Sequence, residues 1–187
     1  ITLFVGPAIY LKSPGPIFFA QERVGKNGKK FKMYKFRSMY MDAEERKKEL
    51  MKENRVSDGM MFKMDFDPRV IGNKIDENGN RTTGIGEFIR KYSLDEFPPF
   101  YNVLKGDMSL VGPRPERPQY VEKFREEIPR YMVKHQVRPG LTGWAQVNGY
   151  RGNTSIRKRI DYDLYYIENW SVGLDVKIIL LTFFKGF

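Results

Sequence analysis

The stretch "RKYSLDEFPPFYNVLKGDMSLVGPRP", residues 90–115, sets two adjacent carboxylates, Asp95 and Glu96, just ahead of Pro98 and Pro99 and closes on Arg114 between Pro113 and Pro115. Proline is tolerated in the first turn of a helix, where its missing N–H has no intrahelical bond to lose. The double proline therefore predicts a helix that begins close to Asp95 and stops at Gly106. Both carboxylates then stand at a helix N-terminus, where the dipole favours ionised acids and also attracts phosphate. Ser93-Leu94-Asp95-Glu96 fits S-x-x-E as well, the capping box in which Ser and Glu satisfy the first free amides. Glu96 thus has two readings, cap or chemistry. A nucleophilic aspartate must be ionised, and a phosphate approaching it needs its charge neutralised by a hard cation or by arginines. Arg114, a planar guanidinium on a proline-stiffened backbone, and Arg90, just ahead of the acidic pair, suit that task.

Composition narrows what such a pair can be doing. The 187 residues are 41% hydrophobic and 14% aromatic, enough for one domain with a packed core. A mean hydropathy of −0.55 argues against a bundle of membrane-spanning helices. There is no cysteine, which removes disulfides, thiolate nucleophiles and cysteine-ligated zinc. With His135 as the one histidine, read as a surface residue rather than a base, a divalent metal must be hard and oxygen-ligated: Mg²⁺, with Mn²⁺ as the alternative. Residues 1–41 hold eight bases against one acid, so +7 of the net +10 sits there. A field of that sign draws nucleic acid, anionic lipid or a phosphorylated small molecule.

Upstream of the acidic pair, "ITLFVGPAIYL" opens the chain. As a helix it reaches ~17 Å, short of the ~30 Å of hydrocarbon in a bilayer. It reads as the tail of a longer apolar segment, with a plain core helix as the alternative. Two apolar-polar runs around Asn27-Gly28 predict a hairpin, with Phe31, Met33, Lys35 and Arg37 on one face of its second strand. Residues 42–55 predict a solvated helix, and 56–82 an irregular excursion with turns at "SDGM" and Asn78-Gly79 and a short strand near Arg69–Ile71. "GIGEFIRKY" predicts a short helix.

Downstream, 118–135 predicts a helical stretch broken at Pro129, 137–150 a loop-rich segment, and 154–168 a helix whose apolar face is Ile156, Ile160, Leu164 and Ile167. Residues 176–184 form a short apolar stretch suited to a membrane interface. Neither G-x-x-x-x-G-K-[ST] nor G-x-G-x-x-G occurs, so an ordinary P-loop or Rossmann site is not expected.

Taken together, "SPGPIFFAQERVGKNGKKFKMYKFRSM", the opening stretch, "VRPGLTGWAQVNG" and "YDLYYIENWSVGLDVKII" occur in the order seen in bacterial sugar transferases. The chain resembles this family of monotopic polyprenyl-phosphate phosphoglycosyl transferases over nearly its whole length. Residues 40–82 look like the insertion found in members whose catalytic domain follows several membrane helices. The resemblance implies an α+β fold: one helix-rich catalytic domain, 1–187, with a small β-hairpin or sheet and interfacial amphipathic helices. It also implies that residues 1–12 are the remnant of a re-entrant membrane helix, with a membrane region upstream.

The activity so implied is transfer of a hexose-1-phosphate, of the glucose or galactose type suggested by "GYRGNT", from a UDP-sugar to undecaprenyl phosphate. In that scheme Asp95 is the nucleophile and Glu96 the Mg²⁺ ligand. Lys35, Arg37, Arg90 and Arg114 bind phosphate, Asp175 lies near the active site, and Arg151 meets the nucleotide or sugar. The setting is the cytoplasmic face of the bacterial inner membrane, with no nucleic-acid partner and room for a homo-oligomer. A basic nucleic-acid-binding module, suggested by "KKFKMYKFR", and a noncatalytic membrane-surface protein are the competing readings.

Overall fold

A computed structural model describes residues 1–50, 64–151 and 154–185 of the chain. The expected turn at "SDGM", the end of the solvated helix and the Gly152-Asn153 portion of "GYRGNT" lie outside the described residues. In chain order the elements begin with α1 (Thr2–Lys12), β1 (Phe18–Val24), β2 (Lys30–Phe36), α2 (Ala43–Leu50), β3 (Lys74–Ile75), β4 (Arg81–Thr82) and α3 (Ile85–Lys91). They continue with α4 (Pro99–Lys105), β5 (Ser109–Val111), α5 (Pro118–Glu127), β6 (Gly140–Thr142), α6 (Trp144–Val147), α7 (Ile156–Glu168) and α8 (Val172–Lys185). Short 3₁₀ turns occupy Lys26–Gly28, Leu94–Glu96 and Tyr131–Gln136. Helices joined by three two-stranded sheets make up the described residues, in line with a helix-rich α+β fold. Backbone proximity groups the chain into two compact units, Ile1–Phe19 with Phe36–Phe97 and Ala20–Lys35 with Pro98–Phe187.

The first unit has a core of Val5, Ile9, Phe36, Ile71 and Ile89. Helix α1 contributes Val5 and Ile9 from one face while Leu3, Phe4 and Leu11 are at least 80% exposed on the other. It stops at Ser13, where Pro14 disfavours helical backbone and φ falls to −152°. Among the described residues no helix is long and apolar enough to cross a membrane.

The expected strand near Arg69–Ile71 shortens to one antiparallel bridge, Met39 with Val70. Its backbone bonds Tyr40 and Ser38, then turns away at Gly72 with φ +86°. The Gly84-Ile85-Gly86 pair is a packing device: a Cβ on Gly86 would lie 2.3 Å from the Ser38 carbonyl oxygen. Ala43–Leu50 forms the described part of the expected solvated helix, with Arg46 paired to Asp42 just ahead of it.

The second unit packs around Val111, Val147, Tyr166 and Ile178. Strands β5 and β6 pair in parallel, Ser109 against Gly140 and Val111 against Thr142. Helix α5 ends at Glu127, with Ile128 as its extended C-cap immediately before Pro129, as expected. Residues 137–150 depart from the loop expected of them, because they hold β6 and α6. The glycines that read as loop signals are instead what allows contact: a Cβ on Gly140 would stand 2.1 Å from the Gly112 nitrogen.

Helix α4 is held by Asn102, fully buried, whose side chain accepts from the Tyr34 N–H at 3.1 Å and donates to the Lys32 carbonyl at 2.8 Å. The apolar stretch at 176–184 extends back to Val172. It buries Ile178 and Thr182 and leaves Val176, Leu180, Phe183 and Phe184 half or more exposed.

Candidate active site

In the first unit, Asp95 and Glu96 lie on the 3₁₀ turn Leu94–Glu96, with Asp95 partly exposed and Glu96 buried. The expected helix starts later than Asp95, and the prolines are the reason. An α-helix through this stretch needs N–H donors at 98 and 99 for the carbonyls of Leu94 and Asp95, and proline has none. Leu94 instead bonds the Phe97 amide at 3.1 Å in a tighter turn, and α4 begins at Pro99, ending at Gly106 with φ +86°.

The capping-box reading of Ser93 is also corrected. Ser93 sits at φ +52° and its side chain makes no capping bond to the turn. The left-handed backbone leaves Glu96 bonded through its N–H to the Ser93 carbonyl at 3.0 Å.

Arg90 is exposed in the last turn of α3, where basic side chains suit the negative end of the helix. Its charge reaches Asp67: burial opposes ionisation there, but the hydrogen bonds and charge of Arg69, aided by Arg90, pull the carboxyl below its usual range. Arg37 is 4% exposed and donates from Nη1 to the Ser13 hydroxyl at 3.0 Å and from Nη2 to the Ser13 carbonyl. It ties the end of β2 to the turn after α1.

In the second unit Lys35 is half-buried on β2. Arg114 and Arg151 line one recess together with Gln146, Tyr150, Arg159 and Asp163. Arg114 donates from Nη1 to Gln146 Oε1 at 3.2 Å. The acids near the recess are already engaged, Glu116 with Arg159 at 3.3 Å and Asp163 with Lys134 at 3.0 Å. The Lys134–Asp163 pair is almost wholly buried; burial pushes the Asp163 carboxyl up, and Lys134 opposes that shift.

Arg23 donates to the Pro115 carbonyl at 3.1 Å and so anchors the "GPRP" loop from the hairpin. Burial pulls its pKa down to about 10, with Glu116 opposing and Arg114 adding to the fall. It therefore stays charged at neutral pH.

Asp175, in the first turn of α8, has both carboxylate oxygens occupied: Tyr166 donates its hydroxyl at 2.8 Å and Trp170 its indole N–H at 3.2 Å. The Tyr166 hydroxyl also lies 3.5 Å from the Val111 carbonyl, three residues before Arg114. His135, expected at the surface, is 5% exposed, ringed by Tyr131 and packed beside Lys134.

The residues that sequence reasoning missed are Arg23, Glu116, Lys134, Gln146, Arg159 and Asp163. Arg159 and Asp163 carried one readable signal: each immediately precedes a core residue of α7, Ile160 or Leu164, so both fall near its buried face. Gln146 carried none.

Among the described residues no group of three or more His, Asp or Glu side chains is placed to hold a metal by itself. Asp95 and Glu96 supply two carboxylates, one partly exposed and one buried, on the Leu94–Glu96 turn.

Comparison with known proteins matches these features to a family. Over 184 residues the chain is 44% identical to a UDP-glucose:undecaprenyl-phosphate glucose-1-phosphate transferase of Escherichia coli K12, covering 96% of this chain and 34% of that protein. It is 46% identical over 176 residues to a UDP-N-acetylgalactosamine-undecaprenyl-phosphate N-acetylgalactosaminephosphotransferase of Aeromonas hydrophila, covering 93% and 36%. An uncharacterized sugar transferase, EpsL of Bacillus subtilis 168, is 41% identical over 182 residues, covering 97% and 75%. The chain thus spans about a third of the length of the first two relatives. The sequence model described as "Bacterial sugar transferase" matches residues 1–187 from end to end, and the chain belongs to that family.

Proposed function

We propose that this chain is the catalytic part of a transferase that moves a hexose-1-phosphate from a UDP-sugar to undecaprenyl phosphate at the cytoplasmic face of a bacterial inner membrane. The observation that carries the reading is the family match over the whole chain, with Asp95 and Glu96 side by side on the turn ahead of Pro98 and Pro99. A carboxylate oxygen of Asp95 attacks the β-phosphorus, forming an O–P bond as the bond from that phosphorus to the bridging oxygen breaks. UMP departs with the bridging oxygen and its electron pair. An oxygen of undecaprenyl phosphate then attacks the same phosphorus, releasing the Asp95 carboxylate and giving undecaprenyl diphosphosugar.

Glu96 is the residue that holds Mg²⁺; when bound, the ion neutralises phosphate charge. Arg90 and Arg114 bind phosphate oxygens as planar donors, Lys35 adds positive charge, and Arg151 contacts the nucleotide or sugar. Arg37, bonded to the Ser13 hydroxyl and carbonyl, fixes the backbone after α1, and Asp175 fixes the side chains of Tyr166 and Trp170. The sugar is of the glucose or galactose type.

Incubation with Mg²⁺ and a UDP-sugar labelled in its β-phosphate is expected to release UMP and leave label on Asp95. Asp95→Asn should lose both by at least about a thousandfold, the scale of removing a nucleophile. Glu96→Gln should lose Mg²⁺-dependent turnover while keeping its fold by circular dichroism. A noncatalytic membrane-surface protein predicts an Asp95→Asn variant indistinguishable from the parent. A panel of UDP-glucose, UDP-galactose and UDP-N-acetylgalactosamine, scored by UMP release, reads the sugar.

A further inference from the structure

Pro113 and Pro115 are buried and have no N–H, so the stretch that carries Arg114 is held by its carbonyls, each of which needs a donor from elsewhere in the second unit. Main-chain donors serve two of them. The Gly140 N–H bonds the Pro113 carbonyl at 2.9 Å, and the Val24 N–H bonds the Glu116 carbonyl at 3.0 Å. The Pro115 carbonyl, between these two, is reached by a side chain instead. Arg23 donates to it from Nη1 at 3.1 Å, across 92 residues of chain, and donates from Nη2 to Gln21 Oε1 at 2.6 Å, which steadies the guanidinium from its other end. Arg114 thus sits between two fixed carbonyls, one held from β6 and one from β1. What is fixed is the backbone on either side of Arg114, whatever partners its own side chain takes.

For stability alone, Arg23 is ill suited to its place. Its Nε is fully shielded and has no acceptor among the described residues. Burial disfavours its charge by more than Glu116 restores, and Arg114 and Arg117 add repulsion. Glu116 does not depend on it, because that carboxylate is paired with Arg159 at 3.3 Å. An apolar side chain of similar length would end the burial of charge and lose one thing, the donor to Pro115. The distinctive contribution of the guanidinium is therefore placement of the loop.

We propose that Arg23 is a positioning residue of the transferase: by holding the Pro115 carbonyl it sets where the loop presents Arg114 to a substrate phosphate, and it touches no substrate itself. The assignment rests on the transferase reading and adds to it the residue that aims its arginine loop.

The test uses the full chain as parent, Arg23→Met, Arg23→Lys, Arg114→Met and the Arg23→Met/Arg114→Met double variant, with UMP release measured on the UDP-sugar that the panel selects. Arg23→Met is expected to lower kcat/KM at least about tenfold, the scale of a misplaced binding group, while its melting temperature stays within about 4 °C of the parent's. Arg23→Lys, which keeps the charge and a donor, should lie closer to the parent than Arg23→Met does. In the Arg114→Met background the Arg23→Met substitution should cost less than about twofold, because the group it aims is gone. Amide hydrogen exchange at Val24 and Gly140, whose N–H groups bond the same loop, should be at least about tenfold faster in Arg23→Met than in the parent.

Equal losses from Arg23→Met in both backgrounds would place its action elsewhere and overturn the proposal. Turnover like the parent's in Arg23→Met overturns it as well, and so does a loss of turnover that comes with a larger fall in melting temperature, since Arg23 is then a stability residue. Unchanged exchange at Val24 and Gly140 overturns it whatever the activities are. A parent that releases no UMP from any UDP-sugar and carries no label on Asp95 removes the transferase reading, and the exchange comparison then decides by itself whether Arg23 holds the loop. Parent turnover and Asp95 labelling, matched in full by Arg23→Met, remove this inference and leave that reading standing.

Discussion

At position 135 a single side chain illustrates how surroundings overrule residue type. His135 looks like a solvent-facing polar residue in sequence, yet its ring packs at 5.3 Å from that of Tyr131 and its pKa is driven down to about 4, by burial first and by the charge of Lys134 second, with Glu116 opposing. The unfolded chain takes up this proton near the ordinary value of 6.5, the folded chain only near 4. Between those values the unfolded state binds more protons, so stability is full above about pH 6.5 and declines as pH falls toward 4. The loss is on the order of 2 kcal/mol. Urea unfolding at pH 7 and pH 4.5 should show that decline in the parent and a smaller one in His135→Phe. The comparison subtracts the carboxylates that titrate in both proteins. Equal pH profiles for the two would remove His135 as the cause.

Among the elements, β5 and β6 show how closely two short segments must approach to place the "GPRP" loop. Gly112 and Gly140 meet backbone to backbone, with the Gly112 N–H bonded to the Thr142 carbonyl at 2.9 Å and the Gly140 N–H to the Pro113 carbonyl at 2.9 Å. Arg114 is displayed from the end of that junction. A methyl group at Gly140 has no room, so Gly140→Ala should cost about 3 kcal/mol or more in denaturant unfolding. Gly28 sits at φ +74° with nothing within 4 Å of its notional Cβ, so Gly28→Ala should cost only about 1 kcal/mol of backbone strain. Similar costs at both sites would mean that the junction yields more readily than its geometry implies. Helix α7 makes the complementary point, since it buries Arg159 and Asp163 near its apolar residues and holds both in ion pairs. Buried charges persist only when so paired.

For the whole molecule, the governing property is a net charge of +10 combined with apolar side chains left on the surface of α1 and α8. Basic charge draws a protein to anionic lipid over roughly a Debye length, and apolar contact then adds a component that salt does not screen. The chain should therefore sediment with phosphatidylglycerol vesicles at low salt and release in large part, though not wholly, at about 0.5 M NaCl, beyond the reach of most surface attraction. Binding that is indifferent to both salt and lipid charge would contradict this account.

The sequence by itself determined the family, the helix-rich α+β character, the hairpin at Asn27-Gly28 and the break at Pro129. These follow from local rules: proline lacks a donor, asparagine and glycine accept left-handed backbone, and phosphate chemistry draws on few residue types. Tertiary structure decided the rest. It converted the supposed capping box into a 3₁₀ turn with Ser93 at φ +52°, drew 137–150 into a strand and a helix, engaged Arg37 at Ser13, and buried His135 beside a lysine. It also brought Gln146 to Arg114, 32 residues away along the chain. The physical reason is common to all of these: a hydrogen bond or ion pair between distant residues leaves no periodicity in the sequence, and burial alters a side chain's chemistry without altering its name.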